Sequence, residues 1–271
     1  YAEYARNTFT EFVTVPRRAD HTVDATLAVE AVRDLRGGFR MTANYEVLDV
    51  GNTVREALRL TGKTRPRVVL LNTATGDDPA RYVRVYAALA ALGCDVTHLS
   101  LFTMPTHNPF DVLTGADFVW VGGGSVANLL AVWRVHRVDE AMAEAWNKGV
   151  IVGGVSAGSI CWHIGGPTDS FGPELRVVKN GLALLPYANG VHYDSEAQRR
   201  PLLQQLIADG EFEIAYATDD RVGILYEGTE PVRVITDAEF DATSGPAAYR
   251  VERIGGVMTE TRLAPGSITN S

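Results

Sequence analysis

VIVGGVSAGSICW, residues 150–162, runs from an apolar strand through two glycines to a serine set between small residues, and then into a segment of helical character. A short apolar run bounded by glycines reads as a buried strand of a parallel sheet. The break at Ser156 marks the turn into the next helix. Working upstream, the same alternation repeats. RVVLLNTA (67–74) is a strand, Gly76-Asp77-Asp78-Pro79 a turn, and Val85, Leu89 and Leu92 recur at i, i+4, i+7 on a helix that Gly93 stops. DVTHLSL (95–101) is a second strand. DFVWV (117–121) runs into Gly122-Gly123-Gly124 and a helix with Val126, Leu129, Leu130 and Trp133 on one side, and a further helix covers about 138–147. Strands alternating with helices build an α/β fold, a mostly parallel sheet with helices on both faces.

Downstream of residue 210 the texture changes to short strands with polar turns, EIAYATDD, VGILYEG, PVRVIT and AAYRVERI, which predicts an antiparallel extension near the C-terminus. A helix is predicted over 196–209. The first 60 residues carry two helical stretches, 24–36 and 52–61, without a clear opening strand. They are taken as an N-terminal segment packed on a single domain of residues 61–271.

The chain of 271 residues has a net charge of −8 with 46% hydrophobic and 21% charged residues. Its Lys and Arg are scattered singly, so no cationic stripe exists for nucleic acid or an acidic membrane surface. No uninterrupted apolar run reaches the ~18 residues of a membrane span, and YAEYARNTFTEFVTV shows no leader pattern, so a cytoplasmic location is expected. Cys94 and Cys161 stand far apart in apolar surroundings and read as reduced core residues.

Gly154-Val155-Ser156-Ala157-Gly158 fits G-x-S-x-G, where small neighbours let a nucleophile sit on a tight strand-to-helix turn. The plainer reading is a glycine-rich turn whose serine caps a helix. A serine hydroxyl needs a base. His21 falls in the unpatterned start, His98 in a strand, His107 in a Pro-rich loop, and His136 and His163 on helices. His163 is seven residues after Ser156, about 10 Å along a helix. His192, in Gly-Val-His-Tyr-Asp after a Pro-Tyr-Ala-Asn-Gly turn, has the setting of a base on a sheet-edge loop. Gly122-Gly123-Gly124-Ser125 reads either as a tight turn or as a source of backbone N–H groups for an oxyanion, and its spacing is not that of a phosphate loop. His192, Asp194 and Glu196 alternate, but fall short of a hydrolytic metal site, and no metal is assigned.

The series VWVGGGSVANLL (119–130), VIVGGVSAGSICW (150–162), PTDSFGP (167–173), LALLPYANGVHYDSEAQRRP (182–201) and YATDDRVGILYEG (216–228) resembles the peptidase E family of serine peptidases. That family comprises aspartyl dipeptidases and relatives such as cyanophycinases, on the flavodoxin-like, class I glutamine-amidotransferase-like fold. The resemblance implies Ser156 as nucleophile, His192 as base, Asp169 as the acid orienting it, and the N–H groups of Gly124 and Ala157 as oxyanion hole, with neither metal nor organic cofactor. The acid has alternatives in Asp194, Glu196, Asp219 and Asp220. Glu196 stands where aspartyl dipeptidases carry a substrate-binding arginine. The expected activity is therefore hydrolysis of dipeptides or short peptides through an acyl-enzyme on Ser156, without strong preference for N-terminal aspartate. A cyanophycinase-like isopeptide hydrolase and a non-catalytic metabolite-binding domain are the alternatives. A small peptide is the expected partner, and a homodimer stays open.

Overall fold

The computed structural model describes residues 50–237 and 244–268. The helix expected over 24–36 and His21 lie outside the described residues. The 52–61 stretch forms helix α1 (Gly51–Leu60), whose first turn is held by the Asp237 carboxylate, the acceptor of the Asn52 N–H at 2.5 Å.

Strand β1 (Arg67–Leu71) lies between β2 (Asp95–His98) and β3 (Phe118–Val121), and β4 (Ile151–Gly154) pairs outside β3, all parallel, in the order β2-β1-β3-β4. This is the doubly wound order of flavodoxin-like sheets. Side chains alternate between its faces. Val69, Leu71, Val119 and Val121 join one buried cluster, while Val68, Leu70 and Phe118 join another. Helices α3 (Pro109–Thr114), α4 (Val126–His136) and α5 (Val138–Asn147) cover the first face through Leu113, Leu129, Trp133 and Met142. Helix α2 (Pro79–Ala91) and α1 cover the second through Tyr82, Leu89 and Val54.

Several helix starts are written in the sequence. Asp78 and Asn108 each accept a backbone N–H two residues on, from Ala80 and Phe110, and each precedes a proline whose missing N–H costs nothing at the first helical position. Ser125 caps α4 by accepting from Asn128 N–H at 3.2 Å. Both cysteines are buried and free.

Helix α6 (Ala157–Ile160) is shorter than the sequence suggested. The next carbonyls pair elsewhere, with Cys161, Trp162, His163 and Ile164 accepting N–H groups from Leu182, Leu185, Ala183 and Gly181. The chain then forms a hairpin, β5 (Gly166–Thr168) with β6 (Arg176–Val178), and reaches β7 (Ala188–Gly190). Strand β7 runs parallel to β8 (Ile214–Thr218), at one edge of a second sheet ordered β12-β11-β8-β7. Its other strands, β11 (Ala248–Ile254) and β12 (Val257–Leu263), are antiparallel. A third sheet of β9 (Val222–Glu227), β10 (Glu230–Thr236) and β13 (Gly266–Ser267) is also antiparallel, in agreement with the extension expected after residue 210. Helix α7 (Arg199–Ala208) begins three residues later than predicted. Among the described residues no helix is long and apolar enough to cross a membrane.

Two outcomes follow from the packing around α6. A methyl at Gly158 would overlap the Val121 carbonyl, which is backbone and cannot swing aside. Gly158→Ala should therefore cost about 1–3 kcal/mol, read as a lower urea midpoint. The ring of His163 is 3% exposed, and burial lowers its pKa from 6.5 to about 4. Its neutral form is the one the fold favours. Stability from this group is complete above the unfolded value near 6.5 and is lost as pH falls toward about 4, by about 3 kcal/mol in all. Stability measured against pH should fall less steeply across that window in His163→Phe than in the parent.

Candidate active site

Strands β3, β4, β7 and β8 all present their carboxyl ends to one cleft, the usual location of sites in open α/β sheets. Beyond β3 come Gly122–Gly124, beyond β4 Val155 and Ser156, beyond β7 Val191 and His192, and beyond β8 Asp219 and Asp220. The cleft has a volume of about 1080 Å³, and Gly123, Ser156, His192 and Asp220 are among its lining residues.

Ser156 adopts φ 56° and ψ −117°, a conformation that costs an L-residue energy and persists only where its surroundings hold it. Here they do. A Cβ at Gly154 would overlap the Gly158 and Val121 carbonyls, and one at Gly158 would overlap those of Val121 and Gly122. The ends of β3 and β4 and the start of α6 are thus in backbone-to-backbone contact, and the serine has no room to relax. The plainer reading of this serine as a helix cap fails, because its side chain makes no capping hydrogen bond.

The glycine triplet approaches from β3. A Cβ on Gly123 would lie 3.1 Å from the Ser156 Cβ and 3.7 Å from its Oγ, so any side chain there would crowd the hydroxyl. Gly124 has φ 138°, and a Cβ on it would strike the Ala74 carbonyl. The Gly122 N–H donates to Leu71 O and the Ser125 N–H to Ala74 O, both at 2.9 Å. Between them the N–H groups of Gly123 and Gly124 donate to no backbone carbonyl among the described residues. Nor does that of Ala157, which as the first residue of α6 has no intrahelical acceptor.

His192, at φ 53°, turns its ring so that Nδ1 lies 2.6 Å from the Asp220 carboxylate. A carboxylate can only accept, so the proton sits on Nδ1 and Nε2 presents its lone pair. Burial pushes the Asp220 carboxyl up, but hydrogen bonds from His192 and Ser195 outweigh it and hold the group below its ordinary value. The two loops are tied together on either side of this pair. Tyr193 N–H donates to Thr218 O at 3.2 Å, and Asp220 N–H to the Asp194 carboxylate at 2.9 Å. Asp219, also on the cleft lining, accepts instead from Ala247 N–H and the Tyr249 hydroxyl, and burial raises its pKa. No hydrogen bond joins Ser156 to His192 among the described residues. Such bonds often tighten only when substrate docks.

Two residues singled out from the sequence stand elsewhere. Asp169, in the turn after β5, lies 3.6 Å from the Arg199 guanidinium with its side chain 59% exposed. The carboxylate on His192 is Asp220, one of the alternatives, because the buried Arg199 at the start of α7 draws the acids near it. Glu196 is drawn the same way, its Oε2 accepting from Arg199 Nε at 2.7 Å, and it is absent from the cleft lining. Arg199 also donates to Pro167 O at 2.7 Å. Arg200 pairs with Glu260 and lies over the rings of Tyr193 and Tyr249, at 5.2 and 4.7 Å. With His192 and Asp194 engaged at Asp220 and Glu196 at Arg199, this trio is not gathered around a common point. Among the described residues no group of three or more His, Cys, Asp or Glu could hold a metal ion.

The relatives of this chain have the same character as its site. Residues 46–234 match the model of peptidase family S51. The uncharacterized peptidase YgaJ of Bacillus subtilis (strain 168) is 36% identical over 228 residues, which span 84% of this chain and 92% of that protein. The crystal structure of a peptidase from an acI-B1 Actinobacterium superposes with a TM-score of 0.58 at 15% identity, covering 80% of this chain and 88% of that one, a likeness of fold. The chain belongs to peptidase family S51, a family of serine peptidases.

Proposed function

We propose that Ser156, His192 and Asp220 act together in a peptidase that cleaves dipeptides or short peptides through an acyl-enzyme. The observation that carries this reading is the His192–Asp220 pair at 2.6 Å on the same cleft as a serine held at φ 56°. Ser156 Oγ attacks the scissile carbonyl carbon and passes its proton to His192 Nε2. The carbonyl oxygen, now an oxyanion, takes hydrogen bonds from the free N–H groups of Gly124 and Ala157. Collapse breaks the C–N bond, and His192 returns the proton to the leaving amine. Water then loses a proton to His192 as it attacks the acyl ester, and the carboxylate product leaves with Ser156 restored. Asp220 holds the imidazole in the tautomer this cycle needs and stabilises the imidazolium.

The cleft volume of about 1080 Å³ is at the upper end for small-ligand sites, which suits a short peptide. Glu196 lies outside it, so repulsion by that residue plays no part in specificity. What argues against strong aspartate preference is that Arg199 and Arg200, the cations nearest the His192 loop in sequence, are both committed to other partners, and that of the arginines on the cleft lining, Arg81, Arg84 and Arg221, the first pairs with Asp78 and the last donates to the Asp237 carbonyl. An acidic side chain is bound well only by a free matching cation.

Ser156→Ala should abolish both turnover and labelling by a fluorophosphonate, and near-parental hydrolysis by that variant would remove the nucleophile assignment. Asp220→Asn should lower kcat by about 10³–10⁴-fold with the fold intact, by analogy with amide replacement of a triad acid. Asp169→Asn should stay within about threefold of the parent, since an exposed ion pair contributes little. The reverse order would return the role of the acid to Asp169. For the parent, kcat/KM on Asp-Leu should exceed that on Ala-Leu by less than about a hundredfold.

A further inference from the structure

His163 and Tyr226 have no part in the steps above, yet both line the cleft that holds Ser156 and His192. His163 Nδ1 lies 2.9 Å from the Ser159 carbonyl. A carbonyl only accepts, so Nδ1 carries the proton, and Nε2 of the neutral ring is a lone-pair acceptor. That Nε2 is buried without a hydrogen-bond partner, and so is the hydroxyl of Tyr226. The two rings meet edge to face, with centroids 5.9 Å apart at 75°. A buried polar atom without a partner is costly to leave unpaired, and two of them on one wall of a cleft call for a partner that arrives with the ligand.

We propose that His163 and Tyr226 form the subsite for the side chain of the acyl residue, and that this subsite takes a neutral carboxamide, glutamine first among the common residues. The inference rests on the peptidase reading of Ser156. A carboxamide carries both an N–H to donate to His163 Nε2 and a carbonyl to accept the Tyr226 O–H. A carboxylate has only acceptors to offer, and the imidazole, held neutral down to about pH 4 by burial, has no charge to offer it. A thioether such as methionine fills the same space but leaves both atoms unpaired. An ammonium could donate to His163 Nε2 but has no acceptor for the Tyr226 O–H.

Length selects among neutral donors. His163 lies past the end of α6, and its ring is fixed through Nδ1 to the carbonyl of Ser159, three residues after Ser156 on that helix, so its far nitrogen stands several ångströms beyond the nucleophile. A serine or threonine side chain is too short for that gap, and glutamine spans more of it than asparagine.

The test is kcat/KM of the full chain on Gln-Leu, Met-Leu and Glu-Leu. The expected result is a preference for Gln-Leu of about tenfold or more over each of the others, because a subsite built to hydrogen-bond rejects analogues that cannot. In Tyr226→Phe and His163→Phe, which keep the ring contact, the Gln-to-Met ratio should fall to within about threefold. Equal rates on Gln-Leu and Met-Leu, a preference for Glu-Leu, failure to cleave Gln-Leu at all, or an unchanged ratio in folded variants would each overturn the subsite. The parent's ratio decides even if a variant fails to fold. Turnover that depends on Ser156 with a flat ratio overturns the subsite alone. A parent protein that neither turns over any of these dipeptides nor takes a fluorophosphonate label at Ser156 overturns the peptidase reading as well.

Discussion

Three stretches of backbone meet where Val121 ends one strand, Gly154 ends the next and Gly158 opens the helix between Ser156 and Trp162. Their carbonyls occupy the space where side chains would otherwise stand. Close-packed interiors tolerate such contact only if the residues have nothing beyond Cα to place there. The consequence for Ser156 is a backbone it would not adopt alone, and a hydroxyl lifted from the sheet instead of turned into a cap. The glycine triplet obeys the same restriction from the other side, since a Cβ on Gly123 would stand 3.1 Å from the serine Cβ, tighter than ordinary contact. Free N–H groups, strained serine and open cleft all follow from that one close approach.

How far the sequence discloses this depends on whether a residue's role is local. The G-V-S-A-G turn is local: glycines, serine, apolar strand before and helix after are contiguous, so the reading from residues 150–162 agrees with the structure. The parallel sheet was equally legible, because β1, β3 and β4 are apolar runs of ordinary length. The partner of His192 is not local. Strand β7 is three residues, Ala-Asn-Gly, with no alternation to mark it, and only its parallel pairing with β8 brings Asp220 beside the imidazole. Nothing in the spacing from His192 to Asp220 announces that pairing. The Thr-Asp-Asp segment at the end of a predicted strand was the available signal, and it carried no more weight alone than Asp169 did.

Arg199 explains why the competing acids were plausible and why they stand apart. A guanidinium almost fully removed from water needs its donors filled, and it gathers Glu196, Asp169 and the Pro167 carbonyl around itself. The result ties the start of α7 to the β5 strand and, through the Glu196 N–H on the His192 carbonyl at 3.1 Å, to the foot of the His192 loop. Residues close in sequence to His192 are therefore scaffolding for its loop, while the groups that face the cleft come from the ends of distant strands.

Ser156 and His192 belong to different sheets. Ser156 follows β4, at the edge of the parallel sheet, whereas His192 and Asp220 follow β7 and β8 in the mixed one. Between them run α6, the carbonyls of residues 161–164 bonded by the 181–185 stretch, the Ser159 hydroxyl on the Asn189 side chain, and the bridge from Gly165 to Ala188. Ser156 and His192 thus sit on opposite banks of a seam joined by loop and side-chain hydrogen bonds and not by a continuous ladder of strands. The approach of imidazole to hydroxyl is then set by the seam and not by the stability of the two halves, so a small shear along it would part the two groups while leaving both cores folded. An enzyme built this way has a natural place for gradual tuning of turnover, since side chains packed along the seam can change the approach of imidazole to hydroxyl without touching either.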